Sequence, residues 1–537
     1  MKQFKFIINK VVYFILFTII IISCTNSNSE LHVSPKGKDT NKGSKTYPLK
    51  TVQKAVDLAK TGEKILIHDG VYREQITVPA GKNRITLQAF QNERPVLKGS
   101  DLVTGWEKTD DFWYSIVKIK PQQVMVDGDN PLQQIGYPNE SFIKNDPTRK
   151  RYQFPVGSGL HDMKPGRFFW SGDSLYISLA DNSNPNNHKI EVSRRQFVIK
   201  IEADSVRING LTVRHSNANT FVEQGAAVQL GNYSVIENCD VQWCDFGGIS
   251  MGYNKFGSKA ITCIASHNGA TGFNASLTRN FFISGCTANY NNYRNFYARW
   301  HSGGFKAAAS AWGTVENSEF AYNIGPGVWF DYCFERAKYR SDGQKPIVIR
   351  NNYIHNNSPV EGNTNAALFL EVSEKAEVYN NRIENNGERG IYIAASWDID
   401  IHNNLIAGTR GYCAVDIAGM PRGGKAKLKN VAFKNSIILN STSKYDLHIV
   451  KEDYPDVENL TSNNNLFFRK DSELQLWYST DGRDNWQGPV FTDLEKWSAE
   501  TDFDKNSVNT DPKFNDKTTN YNIETGDGIK IGILSNK

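Results

Sequence analysis

Ile347-Val-Ile-Arg-Asn-Asn-Tyr-Ile-His-Asn-Asn357 decides how this chain folds, because the pattern returns twice. The copies are Ala376-Glu-Val-Tyr-Asn-Asn-Arg-Ile-Glu-Asn-Asn386 and Ile399-Asp-Ile-His-Asn-Asn-Leu-Ile406. In each, a short run alternates apolar with polar residues, is rich in β-branched side chains and stops at asparagine. That is the signature of a strand, not of a helix. Asn381 follows Asn352 by 29 residues and Asn404 follows Asn381 by 23. Spacings of this size mark a stacked array in which each unit hides its apolar face against the next. Short strands with little helical pattern select a β-solenoid. Asparagines at equivalent turns can bond to one another up the stack, as in other stacked parallel strands, so their recurrence needs no catalytic explanation.

Weaker copies extend the array in both directions. Val206-Arg-Ile-Asn-Gly-Leu-Thr-Val213, Ser234-Val-Ile-Glu-Asn-Cys-Asp-Val241, Gly313-Thr-Val-Glu-Asn-Ser-Glu-Phe320 and Val431-Ala-Phe-Lys-Asn-Ser-Ile-Ile438 belong to it. Second strands lie between them, among them Gly272-Phe-Asn-Ala275, Gly327-Val-Trp-Phe330, Ala367-Leu-Phe-Leu370 and Gly390-Ile-Tyr-Ile393. The chain then divides into an N-terminal cap with first coils (31–100), a β-rich insertion (101–195), a solenoid core (196–465) and C-terminal coils with a cap (466–537). Within the first segment, Pro48-Leu-Lys-Thr-Val-Gln-Lys-Ala-Val-Asp-Leu-Ala59 ends in one amphipathic helix, placed to close the open end of the stack. The insertion breaks the repeat with Trp106, Trp113, Trp170 and many turn residues.

Composition removes some function classes. The 537 residues carry a net charge of +5 with no basic tail, unlike the clustered Lys and Arg of a nucleic-acid binder. Besides Cys24, six cysteines (Cys239, Cys244, Cys263, Cys286, Cys333 and Cys413) show no CxxC spacing with histidine, which argues against zinc. Several fall where inward-facing strand residues are expected, so they read as buried thiols; a disulfide stays open if the compartment is oxidising.

The N-terminus reads as an export signal. Lysines at Lys2, Lys5 and Lys10 precede an apolar run from Val11 to Ile22, shorter than the about 20 apolar residues of a membrane span. Ile21-Ile-Ser-Cys24 looks like a bacterial lipobox. That resemblance implies a signal peptide over 1–23, acylation of Cys24, a polar tether over 24–30 and a membrane-anchored protein of the cell envelope.

Three segments resemble bacterial right-handed parallel β-helix proteins of polysaccharide-degradation systems. They are Val33-Ser-Pro-Lys-Gly-Lys-Asp39, Pro48-Leu-Lys-Thr-Val-Gln-Lys-Ala55 with Gly70-Val-Tyr72, and the closing pair Asp504-Lys-Asn-Ser-Val508 and Asp511-Pro-Lys-Phe514. The resemblance implies an all-β fold, a right-handed parallel β-helix with an N-terminal capping helix and an inserted β-rich segment, and a carbohydrate partner. Such proteins include pectate and alginate lyases, an ulvan-oligosaccharide dehydratase, family 141-type glycoside hydrolases, epimerases and plain binding proteins. Fold alone does not choose among them.

One stretch concentrates chemistry: Asn291-Asn-Tyr-Arg-Asn-Phe-Tyr-Ala-Arg-Trp-His-Ser-Gly-Gly-Phe-Lys306. It holds Tyr293, Arg294, Tyr297, Arg299, Trp300, His301 and Lys306, and no acidic residue. Following coils supply Trp329, Asp331 and Tyr332, then Glu371. Adjacent coils stand about 5 Å apart, so these side chains can line one groove. Elimination on a uronic acid needs such a set. A base removes the C5 proton, a cation holds the charge that develops on the carboxylate, and an acid protonates the oxygen leaving C4. The expected catalytic residues are Lys306, His301, Tyr297, Arg299, Asp331 and Glu371. Arg294, Tyr293, Trp300, Trp329 and Tyr332 are the expected substrate contacts. Lys306 in Gly303-Gly-Phe-Lys306 is similar to the setting of the catalytic lysine in family 9 pectate lyases. The aspartate-rich calcium site of that family has no counterpart here, since Asp240 and Asp245 are too sparse. No metal site is therefore assigned, the cofactor requirement stays open with calcium a possibility, and Arg294 or Arg299 is left to do the neutralising. Two alternatives stand. Asp331 and Glu371, with Glu335 and Asp398 near, could form the carboxyl pair of a glycoside hydrolase, or the groove could bind acidic glycans without turning them over. His215, His267, His355 and His402 each follow a repeat strand and read as turn or surface residues.

Overall fold

The computed structural model describes residues 30–109, 111–136, 156–218, 225–296, 298, 300–335, 345–358, 366–419, 427–451, 457–479, 487–514, 521–524 and 528–534. The signal segment, Cys24, Tyr297 and Arg299 lie outside them.

The repeats stack into three long parallel sheets. The first runs from Glu30–Val33 through Ile347–Arg350, Glu374–Tyr379 and Trp397–His402 to Val457–Asn463. A second carries the intervening strands, among them Thr271–Ser276, Gly303–Ala308, Val328–Asp331 and Leu368–Glu371, and ends with Val490–Phe491 antiparallel to Leu476–Ser479. The third holds three-residue strands such as Tyr353–His355 and Arg382–Glu384. Its two parts are linked by bridges at Ile264. Each coil visits the first, third and second sheets in turn, which makes the core a parallel β-helix. Alternate side chains point inward: Ile347, Ile349, Ile354, Leu368 and Leu370 of one coil are all 0% exposed. Each such burial contributes about 1.5–3 kcal/mol, and the apolar column is continuous from Val33 to Phe503.

The paired asparagines divide the labour at each corner. The first residue takes a left-handed conformation: Asn351, Asn356, Asn380, Asn385 and Asn403 have φ of 53–56°, a region asparagine tolerates better than most residues. The second turns inward and joins a ladder. Asn352 Nδ2 donates to Asn381 Oδ1 at 3.0 Å, and Asn381 Nδ2 to Asn404 Oδ1 at 3.0 Å. A second ladder climbs another corner through Asn268, Asn291, Asn323, Asn357 and Asn386. Here the structure corrects the expectation for the cysteines. Cys239, Cys263 and Cys286 are buried, but they stand in the first ladder below Ser318 and Asn352 and not on inward strand positions. All six described thiols are unbridged.

The helix Val52–Leu58 buries Val52, Ala55 and Val56 against the first strands. Thr51 caps it, and Glu74 accepts from the Val52 and Gln53 amides at 2.9 Å each. The chain leaves the helix at Ser100–Val103 and returns at Ile190–Ser193, two strands that pair antiparallel. Between them two small sheets pack around Trp106, Val124, Phe168, Leu175 and Ile177. Of the histidines read as turn or surface residues, His215 does sit at a turn, with φ 58°, but is 0% exposed, and His355 is buried as well. Glu191 at 3.2 Å and Asp129 at 2.8 Å, both from the insertion, cover the His215 ring. Glu191 also takes Arg73 at 3.0 Å and Lys98 at 2.8 Å from the first coils, so this buried network clamps the insertion to the solenoid.

Candidate active site

The register of the second sheet assembles the site. Lys306 lies in register with Asn274 below and with Trp329, Phe369, Tyr392, Asp416 and His448 above. These residues alternate with core positions such as Phe305 and Ala307, so they form one column on the outward face. Beside it stand Ala308, Asp331, Glu371 and Ala394 in register. Strand Gly303–Ala308 begins with a glycine of necessity: Gly303 has φ +110°, and a Cβ there would lie 2.0 Å from the Pro326 carbonyl oxygen.

Lys306 is 3% exposed. Its ammonium lies 3.0 Å from Asp331 Oδ2 and 3.3 Å from the centroid of the Trp329 ring, and it donates to the Trp300 carbonyl. A carboxylate, an aromatic face and a carbonyl thus fix a charge that burial would otherwise penalise. The other oxygen of Asp331, Oδ1, is shielded and has no partner, and the same holds for Trp329 Nε1. His301, next in sequence to the carbonyl that Lys306 binds, is 5% exposed and stacks on Phe246 at 5.0 Å. Burial first, then the Lys306 charge, hold its pKa well below the ordinary 6.5. The imidazole is therefore neutral at neutral pH, and its Nε2 has no hydrogen-bond partner. Glu371 is 6% exposed, one strand above Asp331.

Other expected residues lie elsewhere. Arg294 turns toward the insertion, where its guanidinium bonds Asp245 and Gln134. Its charge is thus already matched by Asp245, as that of Lys306 is by Asp331. Tyr293 packs against Trp243 at 5.4 Å, beside Arg294. Trp300 lies 6.0 Å from Phe246, flanking His301. Tyr332 follows Asp331 with φ 53° and packs toward Phe334 in a side cluster. Asp398 lies on the first sheet, lining a different groove with Lys375, Glu377 and Asp400, so it does not join the Asp331–Glu371 pair. Glu335 donates its backbone N–H to Glu374.

The sequence reading missed the upper part of the column. Asp416 accepts from Arg389 Nε at 2.6 Å and contacts His448 Nδ1 at 3.0 Å, and His448 Nε2 lies 2.7 Å from Ser479 Oγ. A polar residue between two apolar ones, in Ala414-Val-Asp-Ile417 and Asp446-Leu-His-Ile449 as in Gly304-Phe-Lys-Ala307, was the available signal.

Known proteins match this architecture. The model of a right-handed β-helix region matches residues 197–337 and 295–481. A second model, described only as a protein of unknown function (DUF1565), matches residues 35–79. The uncharacterized protein YwoF of Bacillus subtilis (strain 168) is 31% identical over 86 residues, which are 16% of this chain and 18% of that one. The chain therefore spans less than a fifth of that relative's length. Among solved structures, the complex of XylC with xylose superposes with a TM-score of 0.62 at 16% identity, covering 91% of this chain and 88% of the other. A structure titled glycoside hydrolase gives a TM-score of 0.54 at 12% identity, covering 80% and 96%. These likenesses are likenesses of fold. With the three parallel sheets, the inward ladders and a family model spanning residues 197–481, the chain belongs to the right-handed parallel β-helix family.

Proposed function

We propose that this protein is a carbohydrate-active enzyme that eliminates across C4–C5 of a uronic acid in an oligo- or polysaccharide. One observation carries the proposal: a buried neutral imidazole with an unpartnered Nε2 stands beside an ammonium fixed between a carboxylate, a carbonyl and an indole face. His301 takes the C5 proton. Lys306 faces the charge that develops on the sugar carboxylate, without having to move into place. The C5–H electron pair becomes the C4–C5 double bond, the C4–O bond breaks, and the leaving oxygen takes a proton for which Glu371 is the nearest carboxyl group above Asp331. Departure of a glycosidic oxygen makes the enzyme a lyase; departure of water makes it a dehydratase. Incubation with uronate-containing oligosaccharides should raise ultraviolet absorbance from the conjugated double bond. Loss of that rise in His301→Gln and Lys306→Met supports the assignment, and full activity in either removes it.

A second reading, hydrolysis, is favoured by the register of Asp331 and Glu371. One strand spacing is about 4.8 Å, near the about 5–5.5 Å of a retaining carboxyl pair. The two superposed structures, a complex with xylose and a glycoside hydrolase, support carbohydrate as the substrate class. New reducing ends without absorbance, lost in Asp331→Asn, would decide for it. We also propose that Cys24 carries a lipid anchor holding the enzyme at the cell envelope; labelled palmitate that still enters a Cys24→Ala variant would refute this.

A further inference from the structure

The insertion and the solenoid border a cleft of about 280 Å³, apart from the column of side chains at Lys306. Gln122, Gln123, Leu132 and Gln134 of the insertion line it on one side, and Tyr293 and Arg294 of the solenoid on the other. Gln123 is 2% exposed, yet neither of its amide atoms has a hydrogen-bond partner. Gln122 Oε1 and the Tyr293 hydroxyl are also shielded and unpartnered. Native proteins seldom bury polar groups unsatisfied without a ligand or water to meet them, and here several belong to residues that line one space.

We propose that this cleft binds one neutral glycosyl residue. Amide and phenol groups both donate and accept, as sugar hydroxyls do, while Leu132 offers an apolar surface for a ring face. Arg294 is the one charged residue among the described residues lining the cleft, and Asp245 already matches its charge, so an anionic sugar gains no unmatched cation from them. The volume lies at the lower end of small-molecule sites, about 300 Å³, and suits a single ring. The wall at Arg294 continues through Asp245 and Phe246 to the His301 ring stacked on Phe246. A chain with its uronate at His301 would thus have a neutral neighbour in the cleft. The proposal rests on carbohydrate being the substrate class, but not on which bond is broken.

Calorimetric titration of the full chain with methyl β-xylopyranoside, methyl α-rhamnopyranoside and methyl β-glucuronide tests it. At least one neutral glycoside should bind, with Kd on the order of millimolar for so small a ligand. Gln123→Leu and the isosteric Tyr293→Phe should each weaken that binding about tenfold, one lost hydrogen bond apiece, with far-UV circular dichroism unchanged. Lys306→Met should leave it intact, so that a failure of elimination and a failure of this site are read separately. Absence of binding by both neutral glycosides overturns the proposal. So does tighter binding of the glucuronide that is lost in Gln123→Leu, or neutral binding that neither cleft variant weakens.

Discussion

Replacing Asn323 with alanine is expected to cost this fold about 4 kcal/mol. Asn323 sits in the middle of the second ladder. Its Oδ1 accepts from the Asn291 backbone N–H and from Asn291 Nδ2, both at 2.9 Å. Its Nδ2 donates to the Ala288 carbonyl at 2.9 Å and to Asn357 Oδ1 at 2.8 Å. Alanine strands two donors on Asn291, which is 0% exposed. Asn357 Oδ1 keeps the Asn323 backbone N–H at 3.2 Å. Each orphaned buried group costs about 1–3 kcal/mol, hence about 4 for two. Asn268 is the control at the ladder's lower end. Its Oδ1 accepts from the Cys244 N–H alone, so Asn268→Ala strands one donor and should cost about half as much. A long stack can open locally instead of unfolding as one unit, so the measurement is native-state hydrogen exchange of the Asn291 and Cys244 amides, alongside urea denaturation. The Asn291 amide should lose protection about a hundredfold or more in Asn323→Ala. Equal costs for the two variants, or unchanged protection at Asn291, would refute the additive account of the ladder.

Breaking the Lys306–Asp331 pair should be asymmetric: the side chains are 4% and 21% exposed, so Asp331→Asn, which strands the more buried charge, costs about 3–5 kcal/mol and Lys306→Met less. In denaturant titrations the double variant should recover most of the loss, and strict additivity would contradict the pairing. Glu191→Gln removes the counter-charge of Arg73 and Lys98 and should loosen the insertion by about 3–5 kcal/mol, read as faster proteolysis between residues 104 and 189. Burial alone would raise the Glu191 pKa, but His215, Arg73, Lys98 and Ser100 together pull it far below the ordinary 4.5; the folded state thus holds fewer protons, and the clamp's stability, complete above 4.5, should fall as pH drops below it. His301 also has a depressed pKa, so its contribution is full above 6.5 and lost as pH falls below it, and the acid limb of kcat/KM in the unmodified enzyme should lie below 6.5; a limb at or above 6.5 would count against His301 as the base.

The stack itself was legible because every coil repeats the same local demands. Asn-Asn at 351–352, 356–357, 380–381 and 385–386 states both a left-handed corner and a ladder position, and the alternating strands state which side chains face inward. Spacing also put Trp329 and Asp331 on the coil after Lys306 and Glu371 on the next, while their exact register comes from the strand pairing itself. What was not legible lies where the chain stops repeating. Arg294 meets Asp245 and Gln134, which lie 49 and 160 residues away, and no periodicity announces such partners. His215 has the local context of an exposed turn and is buried only because the insertion returns over it. Tyr332 carries an apolar ring after a strand, but with its left-handed φ it packs into the side cluster at Phe334. A small apolar residue such as cysteine suits a core strand position equally well, so only the corner geometry distinguishes a ladder thiol from a core one.

The same division explains why the candidate chemistry gathers on the second sheet. Between the first and third sheets the turns are two residues long, as at 317–318, 351–352, 380–381 and 403–404, and their second residues are consumed by the ladder. Nothing can be inserted there without breaking hydrogen bonds on both neighbouring coils. Connections from the third sheet to the second hold a ladder asparagine only near their start, as at Asn291 and Asn323, and differ in length beyond it. The one before Gly303–Ala308 spans residues 290–302 and brings Tyr293, Arg294, Trp300 and His301, while the next spans only 322–327. A rigid corner thus sets the height of each strand to within a hydrogen bond, and a variable corner delivers side chains to the strand that follows. Lys306 and Asp331 depend on the first for their pairing, and His301 on the second for its position. Lengthening 290–302 should therefore move His301 and the Arg294 wall while leaving the Lys306–Asp331 pair in place, whereas an insertion at 317–318 should displace the pair itself.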